Sequence, residues 1–136
     1  MTLLAVILAA CAGERPKNLG VHGGDLAACP SSPNCVSSFA ADERHYIAPF
    51  SFTDEPTAAF ARLTQMLRQR SDATIIEEGS GYLRVELRTT FFVDDAEFLL
   101  DWEKKVIHLR SASRLGYSDL GKNRSRIEEL RAAFSR

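Results

Sequence analysis

The chain has 136 residues, 45% of them apolar and 26% charged, a make-up that fits one globular domain with a single core and excludes a disordered polymer. Lys and Arg number 17 against 18 Asp and Glu, a net charge of −1. That balance gives no reason to expect nucleic acid, so any basic site has to be local.

The chain opens on an apolar run, Leu3–Ala10, followed by Cys11. A membrane-spanning helix needs about twenty such residues, so this run cannot cross a bilayer. LAAC at Leu8–Cys11 resembles the lipobox of bacterial lipoproteins, in which the signal is cut before the cysteine and the cysteine is acylated. That resemblance implies that residues 1–10 are a signal sequence and that Cys11 is the lipidated membrane anchor of a protein in the bacterial cell envelope, facing the periplasm. Signal sequences open with Lys or Arg, and Met1-Thr2 supplies neither, which reads as a truncated start. The competing reading is an uncleaved apolar tail.

Residues 11–25 contain Pro16, Gly20, Gly23 and Gly24 and few large apolar side chains, the composition of a tether leading into a domain at 26–136. The domain begins with CPSSPNC, Cys29–Cys35, where two prolines and two serines predict a tight loop. In an exported protein such a pair is most simply a disulfide, contributing about 2 kcal/mol. A metal site completed by His22 or His45 is the alternative, weakened by the absence of C-x-x-C spacing and of a second cysteine pair. The spacing is equally unsuited to redox catalysis. Neither a metal nor a cofactor is expected.

His45–Phe52 reads as a short strand with Pro49 at an edge or bulge. Asp54 and Pro56 mark a helix start, with Phe60, Leu63 and Leu67 on one face and Arg62, Arg68 and Arg70 away from it. Thr74–Glu78 and Tyr82–Thr90, joined by Gly79-Ser80-Gly81, form a predicted hairpin. Asp94-Asp95 reads as a turn leading into the next strand, Asp95–Trp102, which places Ala96, Phe98, Leu100 and Trp102 on one face. Matched registers would gather Arg84, Glu86, Arg88, Glu97, Asp101, His108 and Arg110 on the second face. Cross-strand pairing on a solvated surface is the plain expectation, a concave polar pocket the sharper one.

The most informative stretch is Ile107–Arg126, IHLRSASRLGYSDLGKNRSR. Ile107 and Leu109 alternate with His108 and Arg110 as in a half-buried strand, and Ser111 to Gly116 then leaves the sheet. Ser118 or Asp119 is a predicted N-cap, with Leu120, Ile127, Leu130 and Phe134 at helical spacing behind it. Free N–H groups at a helix start attract anions, and Arg110, Arg114, Arg124 and Arg126 are expected to project toward that end. The opposing expectation is that Arg110 and Arg114 pair with sheet carboxylates while Asp119 only caps.

The element order β-α-β-β-β-β-α predicts an α+β fold, a curved antiparallel sheet with two helices packed on one face, by analogy a TATA-binding-protein-like topology. Three blocks, LGVHGGDLAACPSSPNCVSS at Leu19–Ser38, VDDAEFLLD at Val93–Asp101 and VIHLRSASRLGYSDLGKNRSRIEELR at Val106–Arg131, together resemble the family known as domain of unknown function 1499. The resemblance implies a small domain, often exported or membrane-attached in bacteria, with no assigned activity. The matching motif residues are Cys29, Pro30, Ser32, Pro33, Asn34, Cys35, Asp94, Asp95, Arg110, Ser111, Ser113, Arg114, Gly116, Tyr117, Asp119, Gly121, Asn123 and Arg124.

The expected function is a non-catalytic binding module. Arg110, Ser111, Ser113, Arg114, Tyr117, Asn123 and Arg124, capped by the cysteine loop, would hold an anionic small molecule or an acidic segment of an envelope partner. A hydrolase-like enzyme would need Ser111 or Ser113 beside His108, which a regular strand sends to opposite faces. No catalytic residue is therefore assigned. A purely structural envelope protein is the third reading.

Overall fold

A computed structural model describes residues 13–136 of the protein. The apolar run Leu3–Ala10 and Cys11 lie outside the described residues. The elements are β1 (Val21–His22), β2 (Asp25–Leu26), β3 (Cys35–Ser37), β4 (Phe50–Ser51), α1 (Pro56–Arg68), β5 (Ala73–Gly79), β6 (Tyr82–Arg88), β7 (Val93–Asp101), β8 (Val106–Ser113) and α2 (Lys122–Phe134). The fold is α+β, with two helices and an antiparallel sheet. Four short strands precede α1 where one was expected, so the element order departs from the TATA-binding-protein-like one.

The main sheet has six strands in the order β3-β8-β7-β6-β5, with β4 also on β8. β8 pairs with β3 through Arg110–Ala112 and with β4 through Val106 and Ile107. Alternation sends Leu83, Val85, Leu87, Ala96, Phe98, Leu100, Ile107 and Leu109 into one core, which they share with Phe60, Leu63 and Leu67 of α1 and Ile127, Leu130 and Phe134 of α2. Helix α1 starts because Pro56 presets its backbone and the Glu55 side chain accepts from the Ala58 N–H at 3.1 Å. The cap is Glu55, one residue after the expected Asp54. Cys29 and Cys35 form a disulfide.

Three local expectations fail for identifiable reasons. Of His45–Phe52 only Phe50 and Ser51 form a strand, and Tyr46 adds an isolated parallel bridge to Ser37 of β3. The Asp42 carboxylate accepts from the His45 N–H at 3.2 Å, the Asp42 carbonyl accepts from the Tyr46 N–H at 3.0 Å, and this local turn displaces a ladder. Ser111–Ser113 stay in the sheet because β3 supplies β8 with a partner. Helix α2 starts only at Lys122: Asp119 accepts from the N–H groups of Gly121 and Asn123, both at 2.9 Å, bending the chain through left-handed Leu120 (φ 56°) and Gly121 (φ 76°). Leu120, expected in the core, is 95% exposed.

The largest departure concerns the second face of the sheet. Glu86, Asp95, Glu97 and Arg110 are buried there, so it is not the solvated surface expected. The stretch 14–25, read as a tether, lies across these residues as a strap. Arg15 Nε donates to Glu86 Oε2 and the Gly20 N–H donates to Glu97 Oε2, each at 2.7 Å. β1 and β2 then fold back as a small hairpin that leads to the cysteine loop.

Candidate functional site

The Asp94-Asp95 pair lies within β7, not in a turn ahead of it, and strand alternation sends its carboxylates to opposite faces. On the core side Asp94 accepts from Arg126 Nη1 at 2.5 Å, both side chains 4% exposed. On the strapped side Asp95 accepts from Arg114 Nε and Nη2, both at 2.9 Å. Arg114 Nη2 also donates to Glu86 at 2.7 Å, and Arg88 Nη2 donates to the other oxygen of Glu86 at 2.8 Å. Hydrogen bonds to Asp95 thus raise the Arg114 pKa against the opposing effect of burial. Burial works to raise the Glu86 carboxyl, and the bonds from Arg15 and Arg114 outweigh it, holding the group below its ordinary 4.5.

Arg110 is different. It is 4% exposed and faces Glu97 across β7 and Ser37 across β3. Among the described residues its side chain makes one hydrogen bond, from Nη2 to the Ala28 carbonyl at 3.5 Å, and its Nε is buried with no partner. Burial lowers its pKa, with Glu97 and Asp95 opposing at longer range. Glu97, fully buried, accepts at Oε2 from the Tyr82 hydroxyl at 2.6 Å and from Gly20, while its Oε1 has no partner among the described residues. Burial and the bond to Glu97 push the Tyr82 hydroxyl pKa upward.

Arg110 borders a cavity of about 330 Å³. Pro16 and Asn18 of the strap, Cys29 and Pro30 of the disulfide loop, and Asp95, Ser113 and Arg114 complete much of its wall. The cysteine loop is thus brought to the arginine.

Of the other expected site residues only Ser113 also lines this cavity, and it belongs to a bonded cluster. Ser111 Oγ donates to Asn123 Oδ1 at 2.6 Å, and Asn123 Nδ2 donates to Ser113 Oγ at 2.9 Å, Asp119 Oδ2 at 2.7 Å and the Asn34 carbonyl at 3.3 Å. These groups satisfy one another and tie the start of α2 to β8 and the cysteine loop. Tyr117 is 66% exposed, Arg124 donates to the Arg44 carbonyl at 3.1 Å, and Arg126 is on the core side. Four arginines therefore do not converge on the helix start. Arg110 and Arg114 share a cavity, and of the two only Arg110 has a buried donor without a partner among the described residues. Sequence reasoning missed the strap residues Arg15, Pro16, Asn18 and Gly20.

His108 stacks on Phe39 at 4.3 Å and meets Ser38 Oγ at 3.1 Å, on the face opposite Ser111. His45 is taken up by Asp42 at 2.7 Å and the Ser32 carbonyl at 2.9 Å, and His22 by the Asn18 carbonyl at 3.0 Å. Among the described residues no three His, Cys, Asp or Glu side chains group as metal ligands would.

The family model described as "Protein of unknown function (DUF1499)" matches residues 25–134, from β2 through the last residue of α2. The chain belongs to the DUF1499 family. The match covers the sheet, both helices and the cysteine loop, and starts after most of the strap. Among curated proteins and among solved structures, none matches this DUF1499 chain.

Proposed function

We propose that this DUF1499 domain is a non-catalytic binding module of the bacterial cell envelope, held to a membrane through acylated Cys11, whose cavity at Arg110 takes one anionic group. The supporting observation is the buried guanidinium of Arg110, whose Nε has no acceptor among the described residues, in a residue that lines a cavity of about 330 Å³. Leaving a charged donor unsatisfied is costly, and an anionic oxygen seated against the guanidinium would offset that cost by its charge. Asp95 and Glu97 nearby disfavour a second negative charge. The limited volume of about 330 Å³ favours a small molecule over an acidic partner segment.

Calorimetric titration with acetate and inorganic phosphate tests this reading. Saturable binding is expected, weakened about 10- to 100-fold in Arg110→Gln, the loss of one charge-assisted hydrogen bond. Equal binding by the variant, or none by the native chain, would overturn it. A purely structural role is the second reading, favoured by the closed Ser111–Asn123–Ser113 cluster, which spends much of the family motif on holding the fold.

A further inference from the structure

One end of the molecule carries large apolar side chains that no described residue covers. Phe91 and Phe92, in the turn between β6 and β7, are 70% and 52% exposed, and Leu115, Tyr117 and Leu120, between β8 and α2, are 43%, 66% and 95% exposed. The two loops adjoin: the Arg114 N–H donates to the Val93 carbonyl at 3.2 Å, and Phe92, Leu115 and Leu120 line one hollow of about 430 Å³. Monomer surfaces rarely gather aromatic and leucine side chains this way without something to cover them. Leu120 is displayed by a left-handed backbone outside the helix, so the exposure is built into the loop and is no accident of fraying.

The described chain begins at this same end. A Cβ placed on Gly13 would lie 3.0 Å from the Leu115 side chain. Gly13 follows Cys11 by two residues, a reach of at most about 7 Å. An acyl group on Cys11 would therefore enter a bilayer close beside Phe91, Phe92, Leu115, Tyr117 and Leu120.

We infer that these two loops dock on the lipid bilayer, inserting their aromatic and leucine side chains at the interface and fixing the orientation of the domain. The inference rests on the anchor at Cys11. Amphipathic aromatic rings favour the headgroup boundary, and an apolar contact beside a lipid anchor supplies the second attachment that stable, oriented binding requires. In this orientation the turn between β7 and β8, which carries Trp102, points away from the membrane, because the nine residues of β7 separate it from Phe92.

The chain has one tryptophan, Trp102, 49% exposed, which serves as the distal control. The full chain is purified from membranes with its native N-terminus, its mass is checked for an acyl group, and it is reconstituted in vesicles containing bromolipid. Phe91→Trp and Leu120→Trp, each combined with Trp102→Phe, place the sole indole in one loop or the other. The inference predicts that each loop probe loses roughly half its emission, as expected for rings buried about 5–10 Å into the interface, while native Trp102 is unquenched. An acylated chain that sediments with vesicles yet leaves both loop probes unquenched overturns the docking and keeps the anchor. Quenching without an acyl group keeps the docking and overturns the anchor. A blue shift that follows protein concentration and ignores bromolipid assigns the surface to a second copy and overturns the docking.

Discussion

Arg110 and Arg114 are four positions apart, yet their surroundings give them different work. Arg114 holds Asp95 through two bonds and Glu86 through a third, so removing it strands buried Asp95 and leaves Glu86 with Arg15 and Arg88. Arg114→Met should cost about 3–5 kcal/mol, whereas Arg110→Met, which breaks one long bond, should cost clearly less, as urea unfolding would show. Asn123→Ala should cost about 2–3 kcal/mol in the same assay, because Ser111, Ser113 and Asp119 each lose a partner in a buried site. The depressed Glu86 carboxyl sets an acid limit. Its folded pKa lies below 4.5, so its contribution is complete above that pH and is lost as pH falls through the folded value. Melting temperature against pH should fall more steeply below 4.5 in the native chain than in Glu86→Gln, and parallel curves would remove Glu86 as the cause.

Among the elements, the strap decides what the second sheet face becomes. Gly20 has φ +109°, and its N–H reaches the buried Glu97. Gly20→Ala strains that backbone by about 1–3 kcal/mol, so trypsin should cut at Lys17 faster than in the native chain. Unchanged cutting would mean the strap is held without this contact. The strap was illegible in the sequence because its Gly and Pro give no period, and its contacts join residues more than seventy positions apart. The core was legible: Leu83, Val85 and Leu87, and Phe60, Leu63 and Leu67, announce their faces by spacing alone, and the disulfide followed from the cysteine loop. Asp119 shows the opposite case. Its side chain bends the chain two residues ahead of the helix, and that local bond overrode the apolar spacing that had placed Leu120 inside.

Taken whole, the molecule separates its tasks by position. The sheet and helices bury one apolar core, the strap and cysteine loop enclose a polar layer on the other face, and exposed aromatic loops stand where the described chain begins. Within that polar layer the buried side-chain atoms left without a partner among the described residues are the Nε of Arg84, the Oε1 of Glu97 and the Nε of Arg110. Similar arginines in this family motif thus divide into one that holds the layer together and one that, on the proposed reading, meets the ligand. The arginine Nε–Hε resonances, followed by NMR while inorganic phosphate or acetate is added, test this most directly. Arg110 should shift saturably with Arg114 nearly still. A motionless Arg110, with only the exposed Arg88 and the partly exposed Arg124 responding, would contradict it.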